Sequence, residues 1–317
     1  MIYKNRLIRK GLSLKKIGLK FEKNAVAQIL AFITVFFWSV SIVFTKIGTK
    51  YYDSTTLAVL RYVFTFFMLI VVIIIKKIKL PDKKDIPMFF LTGLTGFALH
   101  MITFNKGVST LSSATSSILL ACAPIFTSIL SVAFLKEKIN FYCWISIFIS
   151  FSGILILTLW EGVFSFNEGI FWMLLSAFLL AIYNIMQRKF SGKYSGTESS
   201  IYCMMTGAIL LAVYSPKSLL KIPEMNLGQF TVIFCLSFFT SVVAYILWGK
   251  ALAMADSAGE IANFMFLGPF ISTLAGVIFL HESLSLSTII GGAVILVGIV
   301  GFNKFKNMKE NKYIRIK

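Results

Sequence analysis

Two glutamates close two closely similar phrases, AFLKEK at 133–138 and IFLHES at 278–283. A carboxylate at the end of an apolar run does one of two jobs. It exchanges protons or ions in a medium where ionisable groups are costly and usually purposeful, or it anchors a helix end by capping backbone and pairing with a base. Glu137 stands between Lys136 and Lys138, and Glu282 follows His281, so both jobs stay open. Arg61 poses the same choice with the opposite sign. It is the arginine set inside an apolar block, and its planar fork suits a carboxylate. It equally suits a pairing with Asp53, or a head that snorkels to the membrane surface.

Nine further residues carry hydrogen-bonding tips into apolar segments and are candidate substrate contacts: Trp38, Ser41, His100, Asn105, Tyr183, Asn184, Tyr245, Trp248 and Asn263. Aromatic rings with a few polar tips suit a small, partly apolar solute. The alternative is that these groups only pack helices together, with Trp248 at the membrane interface. Glu260 is an acid that proton coupling would call on. Pro124 and Pro269 each remove a backbone donor inside an apolar run, which bends or loosens a helix and makes them candidate hinges. Enzyme chemistry has little to work with. There are two histidines, no H-E-x-x-H and no glycine-rich phosphate loop, so neither a metal nor a cofactor is expected. The four cysteines sit singly in apolar blocks, as small hydrophobes do.

The elements that must position these groups follow from composition. The 317 residues are 57% hydrophobic and 14% charged, with a mean hydropathy of +0.84. That is too little charge to cover a soluble domain. The apolar residues fall in blocks of about 20, the length a helix needs to cross about 30 Å of hydrocarbon. The expected fold is all-α and polytopic, with spans near 27–46, 57–75, 87–106, 115–135, 141–159, 169–187, 199–215, 229–249, 260–280 and 287–303. Residues 1–24 read as a basic cytoplasmic tail, solvated or lying on anionic headgroups, and 304–317 as a second basic tail. The formal charge of +18 is explained by topology rather than by nucleic acid. With both termini inside the cell, 25 lysines and arginines face the cytoplasm and 5 face out: Lys46, Lys50, Lys106, Lys217 and Lys221.

The two phrases belong to a longer repeat. Pro124 to Glu137 is 13 residues, and so is Pro269 to Glu282; Glu137 to Gly153 is 16, and so is Glu282 to Gly298. The offset is 145, and Lys106 and Lys46 find Lys250 and Lys189 at 144 and 143. Five spans therefore match five spans, as units 25–160 and 161–303. Five is odd, so the second unit enters the membrane from the other side. Inverted repeats of this kind enclose midplane sites in secondary transporters.

The residues also carry a resemblance. FFWSVSIVFTKIG (36–48) with STTLAVLRYVF (54–64) resembles the opening of EamA-type proteins of the drug/metabolite transporter superfamily. LACAPIFTSILSVAFLKEKI (120–139), its partner MFLGPFISTLAGVIFLHESL (265–284) and LLAIYNIMQRK (179–189) are similar to later parts of that pattern, which is departed from at Leu180. The resemblance covers residues 25 to 303. It implies ten helices and transport of small organic solutes, often exported; with the inverted repeat, the expectation is alternating access in the cell membrane, for an amino acid or similar metabolite. The partners implied are that solute and the bilayer, with a homodimer left open and no nucleic acid. Two other classes predict different interiors. A membrane sensor or assembly protein would be a sealed bundle, and a membrane-embedded enzyme would gather its polar groups on a catalytic pair.

Overall fold

In the computed structural model, residues 2–135, 140–159, 167–190, 192–254 and 264–314 are described. The side chains of 2–22, 24, 124, 128, 135, 157–159, 188–189, 252–253, 266, 303 and 306–314 are left aside. The described residues are helical, with no strand among them.

The first unit contains α1 (Ile2–Gly48), α2 (Ser54–Lys76), α3 (Ile86–Gly93), a π turn (Leu94–Leu99), α4 (His100–Thr110), α5 (Ser113–Leu120), α6 (Ala123–Leu135) and α7 (Phe141–Leu159). The second contains α8 (Glu168–Phe190), α9 (Gly196–Tyr214), α10 (Leu227–Ser237), a π turn (Phe238–Val243), α11 (Ala244–Met254), a 3-10 turn (Phe264–Leu267), α12 (Gly268–Leu280) and α13 (Leu286–Ile314). Seven helical stretches among the described residues are long and apolar enough to cross a membrane, and residues 141–156, 268–280 and 286–302 form shorter apolar helices. α1 begins at Ile2 and continues without interruption into the first apolar stretch.

Helix ends follow local chemistry. The Asp53 side chain accepts from the Thr55 and Thr56 amides at 2.9 and 3.0 Å, capping α2. The alternative pairing of Asp53 with Arg61 is not among the described ion pairs; this carboxylate caps orphan amides of the first helical turn instead. Ser195 with Glu198, and Asn226 with Gln229, form capping boxes at the starts of α9 and α10. Pro124 and Pro269 both occupy the second residue of a helix, α6 and α12. Each can offer no amide to the carbonyl four residues back, so the preceding turn ends there, at Leu120 in the first unit.

The two units are interlocked, and each contact type recurs with the roles exchanged. α1 packs on α11 and α12, while α8 packs on α4 and α6. α3 packs on α9, while α10 packs on α2. Two pairs are their own counterparts: α2 with α9, and α7 with α13. These pairs run antiparallel. Asn140 Nδ2 donates to the Phe305 carbonyl and Ser150 Oγ to that of Ile295, so partner numbers fall as chain numbers rise. Thr56, near the start of α2, meets Ser218, beyond the end of α9. The largest apolar core runs through both units, from Ile42 and Tyr62 to Ile295 and Phe302.

Gly153 and Gly298 show what the repeat's glycines are for. A Cβ on Gly153 would stand 2.7 Å from the Gly291 carbonyl oxygen, and one on Gly298 the same distance from that of Ser146. Backbone meets backbone here, and without a hydrophobic drive between helices in lipid such close packing is what holds them. Gly153→Ala or Gly298→Ala should each lower thermal stability in detergent by about 1–3 kcal/mol, with the double variant lower still; unchanged melting in both would contradict this crossing. Asp53→Ala should cost about 1 kcal/mol. Burial pushes the Asp53 carboxyl up, but hydrogen bonds from Thr56 and Thr55 outweigh it and hold it below the usual carboxylate range. Its contribution is thus present above the unfolded-state pKa and disappears as pH falls through the depressed folded value. Melting curves of wild type and Asp53→Ala should converge in that acid range.

Candidate functional site

The two π turns stand 144 residues apart, at the same place in each unit. Such turns loosen the regular ladder and are frequent at functional sites. Here they hold the polar and aromatic groups between the units. From the second turn, the Thr240 carbonyl accepts from Trp38 Nε1 at 3.2 Å, and the Thr240 and Ser241 hydroxyls face Arg61. From the first turn comes Phe97, fully buried.

Arg61 lies deeper than a snorkelling arginine would. It is 5% exposed, with Nε donating to Ser241 Oγ at 3.1 Å and Nη2 to Thr240 Oγ1 at 2.9 Å. Its own carbonyl accepts from Ser237 Oγ at 2.8 Å, which fixes α2 against α10 at this level. Its guanidinium carbon is 5.7 Å from the Tyr62 ring centroid, within cation–π range.

Around this cation the rings form a chain. Trp38 lies 5.3 Å from Tyr245 and 5.2 Å from Trp248, centroid to centroid. Phe97 lies 5.7 Å from Tyr245, 5.2 Å from Tyr183 and 5.7 Å from Tyr62. The Tyr183 hydroxyl is shared with Ser200 and Gln187. Of the residues anticipated from sequence, Trp38, Arg61, Tyr183, Tyr245 and Trp248 are thus brought together. His100 is buried on α4, with Nδ1 3.0 Å from the Ser176 carbonyl oxygen and 2.8 Å from its hydroxyl, tying α4 to α8.

Others are occupied elsewhere. Ser41 donates to the Trp38 carbonyl on its own helix. Asn105 donates to the Ser54 carbonyl at the start of α2, away from the aromatic chain, and Asn184 donates to Thr127 Oγ1. Asn263, Glu137 and Glu260 lie outside the described residues. Thr240, Ser241, Phe97 and Tyr62 escaped the sequence reading. Nothing local separates their hydroxyls and rings from the many others in apolar blocks, although the equal offset of the two π turns was latent in the repeat. A groove of about 480 Å³ between Phe64, Ile222, Met225, Asn226, Leu227 and Phe230 involves none of these site residues.

Glu282 is held by residues of the first unit. Oε1 pairs with Lys46 Nζ at 2.5 Å, and Oε2 accepts from the Ser113 amide at 2.8 Å, at the start of α5. Lys46 Nζ also donates to the Leu111 carbonyl at 2.7 Å. Its partner is the remote Lys46, not the adjacent His281. His281 adopts a left-handed backbone, φ 53°, which ends α12 and turns Glu282 back toward α5. One carboxylate thus joins a cation from the first unit, a helix N-terminus of that unit and the end of α12. At another end of the bundle, Lys193 pairs with Asp82 and Asp85, and the Tyr194 hydroxyl donates to Asp85. The hydrogen bonds from Lys193 to Asp82 and Asp85 hold its ammonium above the ordinary lysine range. Both ties cross between the units. In a double-mutant cycle, Lys46→Ala and Glu282→Ala should couple by about 1–2 kcal/mol in unfolding free energy; additive single effects would show that the two side chains do not hold each other.

With this geometry in place, likeness to known proteins can be stated. The sequence model of the EamA-like transporter family matches residues 25–159 and again 167–304. The chain is 29% identical over 295 residues to the "uncharacterized transporter YdfC" of Bacillus subtilis, covering 92% of this chain and 95% of that one. It is 22% identical over 286 residues, 90% of this chain and 95% of the other, to a "Probable terminal-alkyne amino-acid exporter" of Streptantibioticus cattleyicolor. A crystal structure superposes at a TM-score of 0.60 over 87% of this chain and 96% of its own, at 16% identity, which shows a common fold.

Proposed function

This chain belongs to the EamA-like transporter family and is a multi-pass membrane protein, and from that premise we propose that it moves a small organic solute across the cell membrane by alternating access. The solute class is an amino acid or similar metabolite, moved outward. The exporter named among its relatives favours that class and direction. Ten spans form two inverted five-helix units, 25–160 and 161–303, between cytoplasmic tails 1–24 and 304–317.

The observation that carries this reading is the exchange of roles in the packing. When α1 rests on α11 and α12 while α8 rests on α4 and α6, two similar units surround one centre. The antiparallel register of α7 on α13 supports an inverted relation between them. Two such units have two equivalent ways of leaning on each other, so a state open to one side has a counterpart open to the other. The polar and aromatic centre around Arg61, Trp38 and Tyr245 then holds the solute. Lys46, Glu282 and the start of α5 close one end, on the outer side in the orientation that the basic segments favour. The prolines at the starts of α6 and α12 mark where these helices break their ladders and turn.

The test is counterflow in proteoliposomes against a pooled panel of amino acids and related metabolites, with and without a pH gradient. At least one compound should accumulate against an unlabelled internal pool. Joining Ser113→Cys to Glu282→Cys with a short thiol-reactive cross-linker should arrest that exchange, and a cleavable reagent should restore it on reduction. Exchange that continues under full cross-linking would remove this end of the bundle from the transport cycle.

A further inference from the structure

We propose that Arg61 binds the carboxylate of the transported solute, so that the protein selects small monoanionic or zwitterionic carboxylates with an apolar body. This rests on the transport reading above and narrows it to a substrate class.

Three observations converge on this residue. First, Arg61 is the one Asp, Glu, Lys or Arg among the buried described residues. A guanidinium does not lose its proton in a protein, so this cation stays charged inside the bundle. Second, no carboxylate among the described residues pairs with it. The described ion pairs join Lys46 to Glu282, Lys193 to Asp82 and Asp85, and Lys221 to Glu224, and Asp53 caps α2 instead. Two of the five guanidinium N–H groups are donated to described residues, both to neutral hydroxyls. A buried cation with only hydroxyl partners is held at a substantial desolvation penalty. A ligand carboxylate would offset that penalty with charge-assisted bonds.

Third, the head is fixed rather than free. Thr240 and Ser241 orient its plane from the π turn, Ser237 holds its backbone, and the Tyr62 ring flanks it. The same turn receives the Trp38 indole, and Trp38 leads to Tyr245 and Trp248. A guanidinium beside a chain of aromatic rings matches a solute with a carboxylate at one end and an apolar group at the other. One positive charge balances one carboxylate, and the rings of Trp38, Tyr245 and Trp248 can face the ammonium of a zwitterion, whereas a phosphate dianion would leave a negative charge uncompensated in the bundle.

Two matched series of probes test the assignment on the full chain in proteoliposomes. One comprises L-leucine, L-leucinamide, isoamylamine and 4-methylpentanoate; the other comprises L-phenylalanine, its amide, phenethylamine and 3-phenylpropanoate. Counterflow and thermal stabilisation of the purified protein are both read. Carboxylate-bearing members should exchange and raise the melting temperature, while amides and amines should do neither. Arg61→Lys loses the planar fork, and a lysine buried there sheds its proton far more readily, so it should weaken carboxylate exchange about 10- to 100-fold. The comparison among probes in the wild type does not depend on any variant folding. If amides or amines exchange as well as carboxylates, or if Arg61→Lys moves carboxylates at the wild-type rate, this assignment falls and the transport reading stands. If no probe exchanges while a solute without a carboxylate on the broad panel does, the carboxylate class is wrong. If nothing moves on either panel, both readings fall together.

Discussion

An apolar solvent offers a polar group no partner, so each one inside a membrane bundle must find its partner in protein or ligand. The buried part of this chain is organised by that constraint. Hydroxyls that cannot be hydrated turn back onto their own helices, as Ser39, Thr65 and Ser272 do toward carbonyls four residues earlier. Groups whose donors no carbonyl of their own helix takes up reach across to the other unit. Trp38 and Arg61 meet the second π turn, and His100 meets Ser176. The surface between the units therefore carries polar contacts within an apolar core that both units share.

Duplication supplies each device twice. The prolines at the second residues of α6 and α12, the glycines at the α7–α13 crossing and the two π turns all recur at offsets of 144 or 145. What sits on each device differs. The first π turn brings Phe97, and the second brings Thr240 and Ser241, which hold a cation. The backbone is repeated while the side chains have diverged, so one solute site can lie asymmetrically within a nearly symmetric frame. The same split appears at the ends of the bundle, where Lys46 and Glu282 tie one place and Lys193, Asp82 and Asp85 another.

Much of the frame was legible in the residues alone. The helical character, the apolar stretches and the two-unit repeat follow from block length and from the spacing of Pro, Glu, Gly and Lys, because a helix long enough to cross hydrocarbon leaves a plain mark on composition. The site was legible only in part. Trp38, Tyr183, Tyr245 and Trp248 stood out as amphipathic rings in greasy segments, and they do meet. Ser41 and Asn105 stood out equally and are taken up by carbonyls instead. A side chain's type says that it needs a partner, not whether that partner is a neighbouring carbonyl or a residue of the other unit.

Sequence by itself determined that this is an all-helical membrane chain built from two related units, since periodicity, hydropathy and repeat offset are properties of the chain taken one residue after another. Tertiary structure decided the pairings. Lys46 was separated from Glu282 by 236 positions, and Arg61 from Ser241 by 180, with Asp53 and His281 as nearer decoys. Only packing could choose between them. The choice depends on which helix faces meet and on the added turn at Phe238–Val243, and neither leaves a local mark on the order of amino acids.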